Sequence, residues 1–382
     1  VTGRVDVVVV SGEPLWPPTH GGRIRASRLA EALAGRLRVA VLAPPDRDRT
    51  APAGIGFVPL PPEPSPPRLV AVAGRHPRLG RALLGPCRAA AVAAAAERLR
   101  PRAAVFAHTY LAAVAPPLEA VGFVDAADLE VARMRSLAGQ GSGRARANAA
   151  VEAAKAAWWE PRAACRARAV AAACRADADR LRGWGARAVL VPNGADGEDG
   201  AGGPSPPDGP VTLVAGFGYG PNRHAARFVL DQVWPRLRRA EPGLRLRLVG
   251  REAAGLGAAG VAGVEVVSDP VAVGEHYRQA SLVLAPVAAG GGSQVKVAEA
   301  LARGRLVVAT PFSARSAPAA AGPGLAVADG AAAYAALVLD LWRDRHARWA
   351  RERDLMARRP VPGWDDVWRP FVDKVEEAVR NR

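Results

Sequence analysis

The chain has 382 residues, room for two or three domains with buried cores, which excludes a peptide or a small stapled module. With 49% hydrophobic and 23% charged residues it reads as a globular protein, not a disordered one, despite 40 Gly and 34 Pro. The formal charge of +16 is almost wholly arginine, since Lys155, Lys296 and Lys374 are the only lysines, and GC-rich codons give the same usage.

Val5 to Val10 is a largely β-branched apolar run, followed by the loop SGEPLWPPTHGG, a helical pattern from Arg23 to Ala34 and a second strand-like run, Leu37 to Leu42. This strand, loop, helix, strand unit builds a parallel sheet covered on both faces. A helix at Ala89 to Leu99 and short strands at Ala104 to Phe106, Val121 to Val124 and Val189 to Val191 extend it. Residues 197–209, GEDGAGGPSPPDG, are turn formers and acids, and the linker is expected there. A second α/β series then reads Val211 to Ala215, a helix from about Arg223 to Arg239, Leu244 to Val249, Val264 to Val267, a helix around Glu275, Leu282 to Leu284, a helix from Ser293 to Arg303, and Leu306 to Ala309. Long amphipathic stretches at Ala331 to Arg358 and Asp365 to Val379 are separated by RRPVPG, which breaks any helix.

Cys87, Cys165 and Cys174 are too scattered for a disulfide framework or a metal cluster, so a reducing compartment is expected. The residues around Val5 lack the pattern of a signal peptide, and no window of about 18 residues is free of charge. A cytoplasmic protein without a spanning helix is the expectation.

In doubly wound sheets, ligands bind at the carboxyl ends of the strands. The loop after Val10 ends in Gly21 and Gly22, at the start of a helix whose first turn carries Arg23 and Arg25. Such a helix start attracts anions, although Gly-Gly also simply turns a chain. The loop is too long for a dinucleotide fingerprint, which disfavours a nicotinamide or flavin enzyme. The second informative loop is APVAAGGGSQVKVAEALARGRLVVAT, Ala285 to Thr310. Ser293 suits an N-cap and Gly304 a helix stop. Backbone N–H groups from Gly291, Gly292, Ser293 and Gln294, with the Lys296 ammonium, suit a phosphate. Glu299, one turn deeper, suits a vicinal diol such as that of ribose. An ordinary exposed Lys/Glu helix pair has the same spacing.

These segments, with PPTHGGRIRASRLAEALA, DAADLE (Asp125 to Glu130), VPNGAD, GFGYGPNRHAARF and WPRLRRAEPGLRLRLVG, occur in an order that resembles a GT-B-fold glycosyltransferase of glycosyltransferase family 4, in the subgroup with a glycine-rich loop. The resemblance implies two Rossmann-like doubly wound α/β domains facing across a cleft: an acceptor-binding domain at 1–196, the linker 197–209, a nucleotide-sugar-binding domain at 210–362, and a C-terminal helix at 363–382 crossing back to the first domain. It implies a retaining transfer from a nucleoside-diphosphate sugar, a UDP-sugar by preference, to a hydroxyl acceptor, with no metal or other cofactor. The acceptor would be a specialised metabolite such as an aminoglycoside, or an envelope glycan or lipid.

Carried over by residue, Glu299 matches the ribose-binding acid and Lys296 the diphosphate-binding cation. Gly21 and Gly22 match the loop closing over the donor, and Asn222 and Arg223 stand near it. His108 matches a position beside the reacting centre on the acceptor side, with Arg25, Tyr110 and Asp128, while Asp125 and Glu130 order their loop. His108, Lys296 and Glu299 are the expected catalytic set. The sequence departs from the family at Gly291, where many members carry an acid, at Gln294, where arginine is common, and at Arg315, where an acid is common. These departures bear on donor identity more than on reaction class.

The alternatives are a sugar-nucleotide epimerase, a phosphorylase or an inactive relative. A nucleic-acid-binding protein is disfavoured, because the basic residues lack interleaved aromatics. The charge is uneven: residues 1–196 hold 28 basic and 16 acidic side chains, against 24 and 20 in the remainder. Arg68 to Arg102 carries eight arginines and one acid, Glu97, so an anionic acceptor or peripheral contact with an anionic membrane is expected there. Trp158 and Trp159 are core residues or line the acceptor side.

Overall fold

The computed structural model describes all residues except 1–2, 47–50, 66–73, 75, 197–202, 292–293 and 316. The chain divides into two compact units, one of Val1–Pro192, Gly290–Gly292 and Asp365–Arg382, the other of Asn193–Ala289 and Ser293–Trp364. Residues 197–202 of the expected linker lie outside the described residues, as do Arg68 and Arg75 of the basic segment.

Among the described residues, the first unit is built on seven strands, β1 (Val7–Val10), β2 (Val39–Ala43), β3 (Ile55–Pro59), β4 (Ala103–Ala107), β5 (Val121–Ala126), β6 (Val170–Ala172) and β7 (Ala188–Leu190), in the order β3-β2-β1-β4-β5-β6-β7. Every pairing is parallel. A central parallel strand is covered on both faces, so it favours an unbroken apolar run, and all four valines of β1 are buried. Each such valine contributes about 1.5–3 kcal/mol relative to exposure. The helix Pro86–Leu99 packs Val92, Ala95 and Leu99 into the core holding Val8, Val10, Leu42 and Phe106.

The second unit repeats this plan with β8 (Val211–Val214), β9 (Leu246–Gly250), β10 (Val264–Ser268), β11 (Leu282–Ala285), β12 (Val307–Ala309) and β13 (Leu325–Val327), in the order β10-β9-β8-β11-β12-β13. These pairings are also parallel. Renumbered within its unit, each sheet contains the doubly wound order 3-2-1-4-5-6. At the end of β9, Gly250 has φ +138, and a Cβ there would stand 2.0 Å from the Ala215 carbonyl oxygen, so only glycine lets the two loops approach.

The last helix, Trp364–Arg380, belongs from Asp365 onward to the first unit. Phe371 meets Phe123 of β5 edge to face with centroids 5.9 Å apart, Arg102 donates to the Val379 carbonyl at 2.9 Å, and Arg36 pairs with Asp373 and Glu376.

Four expectations are corrected by local chemistry. The stretch Ala331 to Arg358 is two helices, Ala331–Arg343 and Arg345–Arg358, because Asp344 caps the second by accepting from the Ala347 N–H at 2.9 Å. The helix expected at Arg223 to Arg239 starts earlier, at Gly220, and passes through a π turn at Val229–Val233 before Trp234–Ala240. Pro235 lies just after that turn and has no N–H to give the normal ladder. The helix expected from Ser293 runs Val295–Ala302 with Gln294 at the N-cap, and Ser293 lies outside the described residues. Gly304 does follow the helix end, at φ +72. Strands β3, β6 and β13 are additional: β3 is a half-exposed edge, and the other two have three residues each.

Candidate active site

In each sheet the strand order reverses between its first and fourth strands, so the loops leaving their carboxyl ends diverge and open a crevice. The switch points are β1/β4 in the first unit and β8/β11 in the second.

In the second unit, the loop after β8 leads into the helix Gly220–Phe228, and the loop after β11 into Val295–Ala302. Lys296 Nζ donates to Asn222 Oδ1 at 2.8 Å, and Asn222 Nδ2 donates to the Gly216 carbonyl at 2.9 Å. Asn222 therefore has a fixed amide orientation, with its oxygen toward the ammonium. Burial pushes Lys296 down to about 8, and the Glu299 carboxylate partly restores it. Burial likewise raises the Glu299 carboxyl, while the Tyr277 hydroxyl, donating to Oε2 at 2.9 Å, and the nearby Arg303 charge pull it back. Arg223 is exposed, with Nε bound to the Phe217 carbonyl at 3.1 Å. Asn222, Lys296 and Glu299 are thus brought to one switch point, a cation with a carboxylate one turn away. Gln294 stands at the N-cap of the same helix, Gly291 precedes it in a bend, and Gly292 and Ser293 lie outside the described residues.

In the first unit, the helix Gly21–Ala34 begins directly at Gly21, and its N-cap residue His20 makes no side-chain cap bond. A Cβ at Gly22 would meet only the His20 ring, at 3.5 Å, so space alone does not require glycine there. Glu13 and His20, at the two ends of the preceding loop, approach to 3.1 Å. The His20 imidazole holds the Glu13 carboxyl below its usual range, with further positive charge from Arg23 and His108.

His108 closes β4 at φ +99, a strained conformation for a residue with a Cβ, and its N–H donates to the Asp125 carbonyl at 2.8 Å. Its ring stacks on Tyr110 with centroids 4.7 Å apart and planes 12° from parallel. Its buried Nδ1 makes no hydrogen bond among the described residues and lies 3.9 Å from Asp128 Oδ1, a charge contact only. Glu130 pairs with Arg133 through bonds of 2.6 and 2.8 Å. His108, Tyr110, Asp128 and Glu130 therefore gather at the β1/β4 switch point.

The side chains of Arg25 and Asp125 turn to each other. Arg25 is wholly buried, binds Asp125 through Nε and Nη2 at 2.9–3.0 Å, donates to the Val191 carbonyl at 2.9 Å and lies 4.6 Å from the Trp368 ring centroid. Their pair is a structural tie between the first helix, β5 and the last helix. Trp159 is core, whereas Trp158 is exposed with the Arg162 guanidinium over its ring.

Two residues at these places carry no sequence signal. Glu160, fully buried, accepts from Thr109 Oγ1 at 2.7 Å and from the N–H groups of Glu130 and Val131 at 2.7 and 2.9 Å. It thereby caps the helix Glu130–Gln140 and fixes the residue after His108; burial pushes its carboxyl up to about 7. Tyr277 is the other. Among the described residues, no three His, Cys, Asp or Glu side chains stand together as metal ligands, and no helix is long and apolar enough to cross a membrane.

Comparison with known proteins bears on this geometry. Residues 209–344 match the family model described as Glycosyl transferases group 1. No curated protein matches the chain in sequence. Among solved structures, the chain is similar to sucrose-phosphate synthase from Thermosynechococcus elongatus, with 16% identity, 99% of each chain covered and a TM-score of 0.69. It is similar to WaaG, a glycosyltransferase involved in lipopolysaccharide biosynthesis, with 15% identity, coverage of 96% of this chain and 98% of that one, and a TM-score of 0.64. It is also similar to Anabaena HepE in complex with UDP and glucose, with 13% identity, coverage of 98% and 100%, and a TM-score of 0.65. The fold is that of the GT-B glycosyltransferases, and the matched domain marks the chain as a glycosyltransferase enzyme.

Proposed function

We propose that the chain transfers a glycosyl group from a nucleoside-diphosphate sugar, preferentially a UDP-sugar, to a hydroxyl acceptor with retention of anomeric configuration, in the manner of the family 4 enzymes with a glycine-rich loop. The observation that carries this reading is the pairing of Lys296 with Asn222, one helical turn from Glu299, at the switch point of the group 1 domain. HepE, similar in fold, binds UDP and glucose, which supports the choice of donor.

In the proposed step, the bond from the sugar C1 to the diphosphate oxygen breaks and a bond from C1 to the acceptor oxygen forms on the same face. The acceptor proton passes to the departing phosphate, and the nucleoside diphosphate leaves. Negative charge grows on that phosphate, so the useful contribution is positive charge and N–H groups aimed at it. Lys296 and the start of the helix Val295–Ala302 supply these, with no metal required, and Glu299 binds the ribose hydroxyls. The family resemblance assigns Gly21 and Gly22 to the donor and His108, stacked on Tyr110, to the acceptor side.

The net positive charge of the first half supports an anionic acceptor, drawn from specialised metabolism or the cell envelope, or contact with an anionic membrane surface. Binding to anionic vesicles that survives physiological salt supports the membrane reading, and no binding at low salt ends it.

The test of the reaction is a thermal-shift screen of nucleoside-diphosphate sugars, followed by mass spectrometry and NMR of the products with trial acceptors. A glycoside with the donor's anomeric configuration is expected. An altered sugar nucleotide formed without acceptor would instead identify an epimerase.

A further inference from the structure

We propose that Tyr277 is a positioning residue of the donor site, its hydroxyl holding one oxygen of Glu299 so that the other is presented to a vicinal diol; this rests on the reading of Glu299 as the ribose-binding acid. Tyr277 is wholly buried, and its hydroxyl donates to Glu299 Oε2 at 2.9 Å. Its backbone is anchored by Arg305 Nε, which donates to the Tyr277 carbonyl at 3.2 Å. Its ring lies beneath the Arg303 guanidinium at 5.4 Å, and Arg303 itself donates to the Glu299 carbonyl at 3.1 Å. The phenol therefore has one available orientation.

Glu299, by contrast, is only half-buried, and its Oε1 accepts no hydrogen bond from the described residues. The terminal torsion of a glutamate is soft, so an untethered carboxylate would sweep a wide arc. Binding Oε2 fixes the carboxylate plane, while Oε1 and the second acceptor site of Oε2 stay available to two hydroxyl donors. Burial raises the Glu299 carboxyl, and the Tyr277 hydroxyl opposes that rise, so the same bond favours the acceptor-only form that a diol requires.

Tyr277→Phe retains the ring under Arg303 and removes only the hydroxyl. Calorimetric titration of the parent, Tyr277→Phe and Glu299→Gln with UDP and with its 2′,3′-dideoxy analogue separates positioning from general support. The parent is expected to prefer UDP by at least about tenfold. Tyr277→Phe should lose most of that preference while binding the dideoxy analogue within about twofold of the parent. If Tyr277→Phe keeps the parent's preference, whether or not both affinities fall, Tyr277 merely supports the fold and the proposal is overturned; loss of the preference in Glu299→Gln alone would leave the ribose reading standing. A parent that binds neither ligand, or both equally, overturns the ribose reading and the proposal with it.

Discussion

Lys296 Nζ donates to Asn222 Oδ1 across 2.8 Å, which ties the helix after β11 to the helix after β8 at the point where the second sheet reverses its order. Without that acceptor, a buried ammonium turns toward any other oxygen or toward water. Asn222→Ala is therefore expected to raise KM for the donor about tenfold, the scale of a hydrogen bond to a charged group, with kcat changed much less. Steady-state kinetics at fixed acceptor decide it, and an unchanged KM would detach Asn222 from the site.

The same lysine sets a pH limit. Its ammonium is pushed down to about 8 in the free protein, and only the protonated form attracts a diphosphate. Affinity for the nucleoside diphosphate should fall as pH rises through about 8, toward tenfold per pH unit beyond it. Lys296→Arg should move that limb above pH 10, since a guanidinium stays charged. At the acid end, affinity should decline as the raised Glu299 carboxyl takes up its proton.

The buried Arg25–Asp125 pair predicts a stability effect separate from chemistry. Removing either partner leaves an uncompensated buried charge, so Arg25→Ala or Asp125→Ala should cost about 3–5 kcal/mol in denaturant unfolding. Arg25→Lys should not restore it, because an ammonium cannot reproduce the two-pronged bond to Asp125 together with the bond to the Val191 carbonyl.

Glu160 makes stability depend on pH. Its folded pKa, about 7, exceeds its unfolded value, so its contribution is full below the ordinary glutamate range and is lost as pH rises through about 7. A shift of that size corresponds to about 3 kcal/mol. Unfolding free energies measured at pH 5 and pH 7.5 should converge more closely in Glu160→Gln than in the parent, and parallel curves would remove Glu160 as the source.

What the sequence discloses follows from which contacts are local. β1 and β8 are legible because a central parallel strand favours an apolar run such as Val7–Val10. β6 (VAA) and β13 (LAV) are flanked by alanine and glycine, so nothing in the sequence marks them off as strands, although β7 and β12 are as short. Lys296 and Glu299 are legible as a pair because three residues along a helix is a neighbouring position, whereas the Tyr277 contact spans 22 residues and that of Glu160 with Glu130 spans 30. Arg25 lies in the first turns of a helix that was readable, but which of its arginines turns inward depends on Asp125, a hundred residues away. The backbone strain at His108 likewise leaves no trace in residue type.

The central claim is that Lys296 stabilises a departing nucleoside diphosphate. Its most direct test is kcat for the Lys296→Ala variant with saturating donor and acceptor, product being quantified by mass spectrometry. Loss of one charge-stabilising donor should lower kcat by about 100-fold or more, with the fold intact by circular dichroism. Turnover within a few fold of the parent would contradict the assignment.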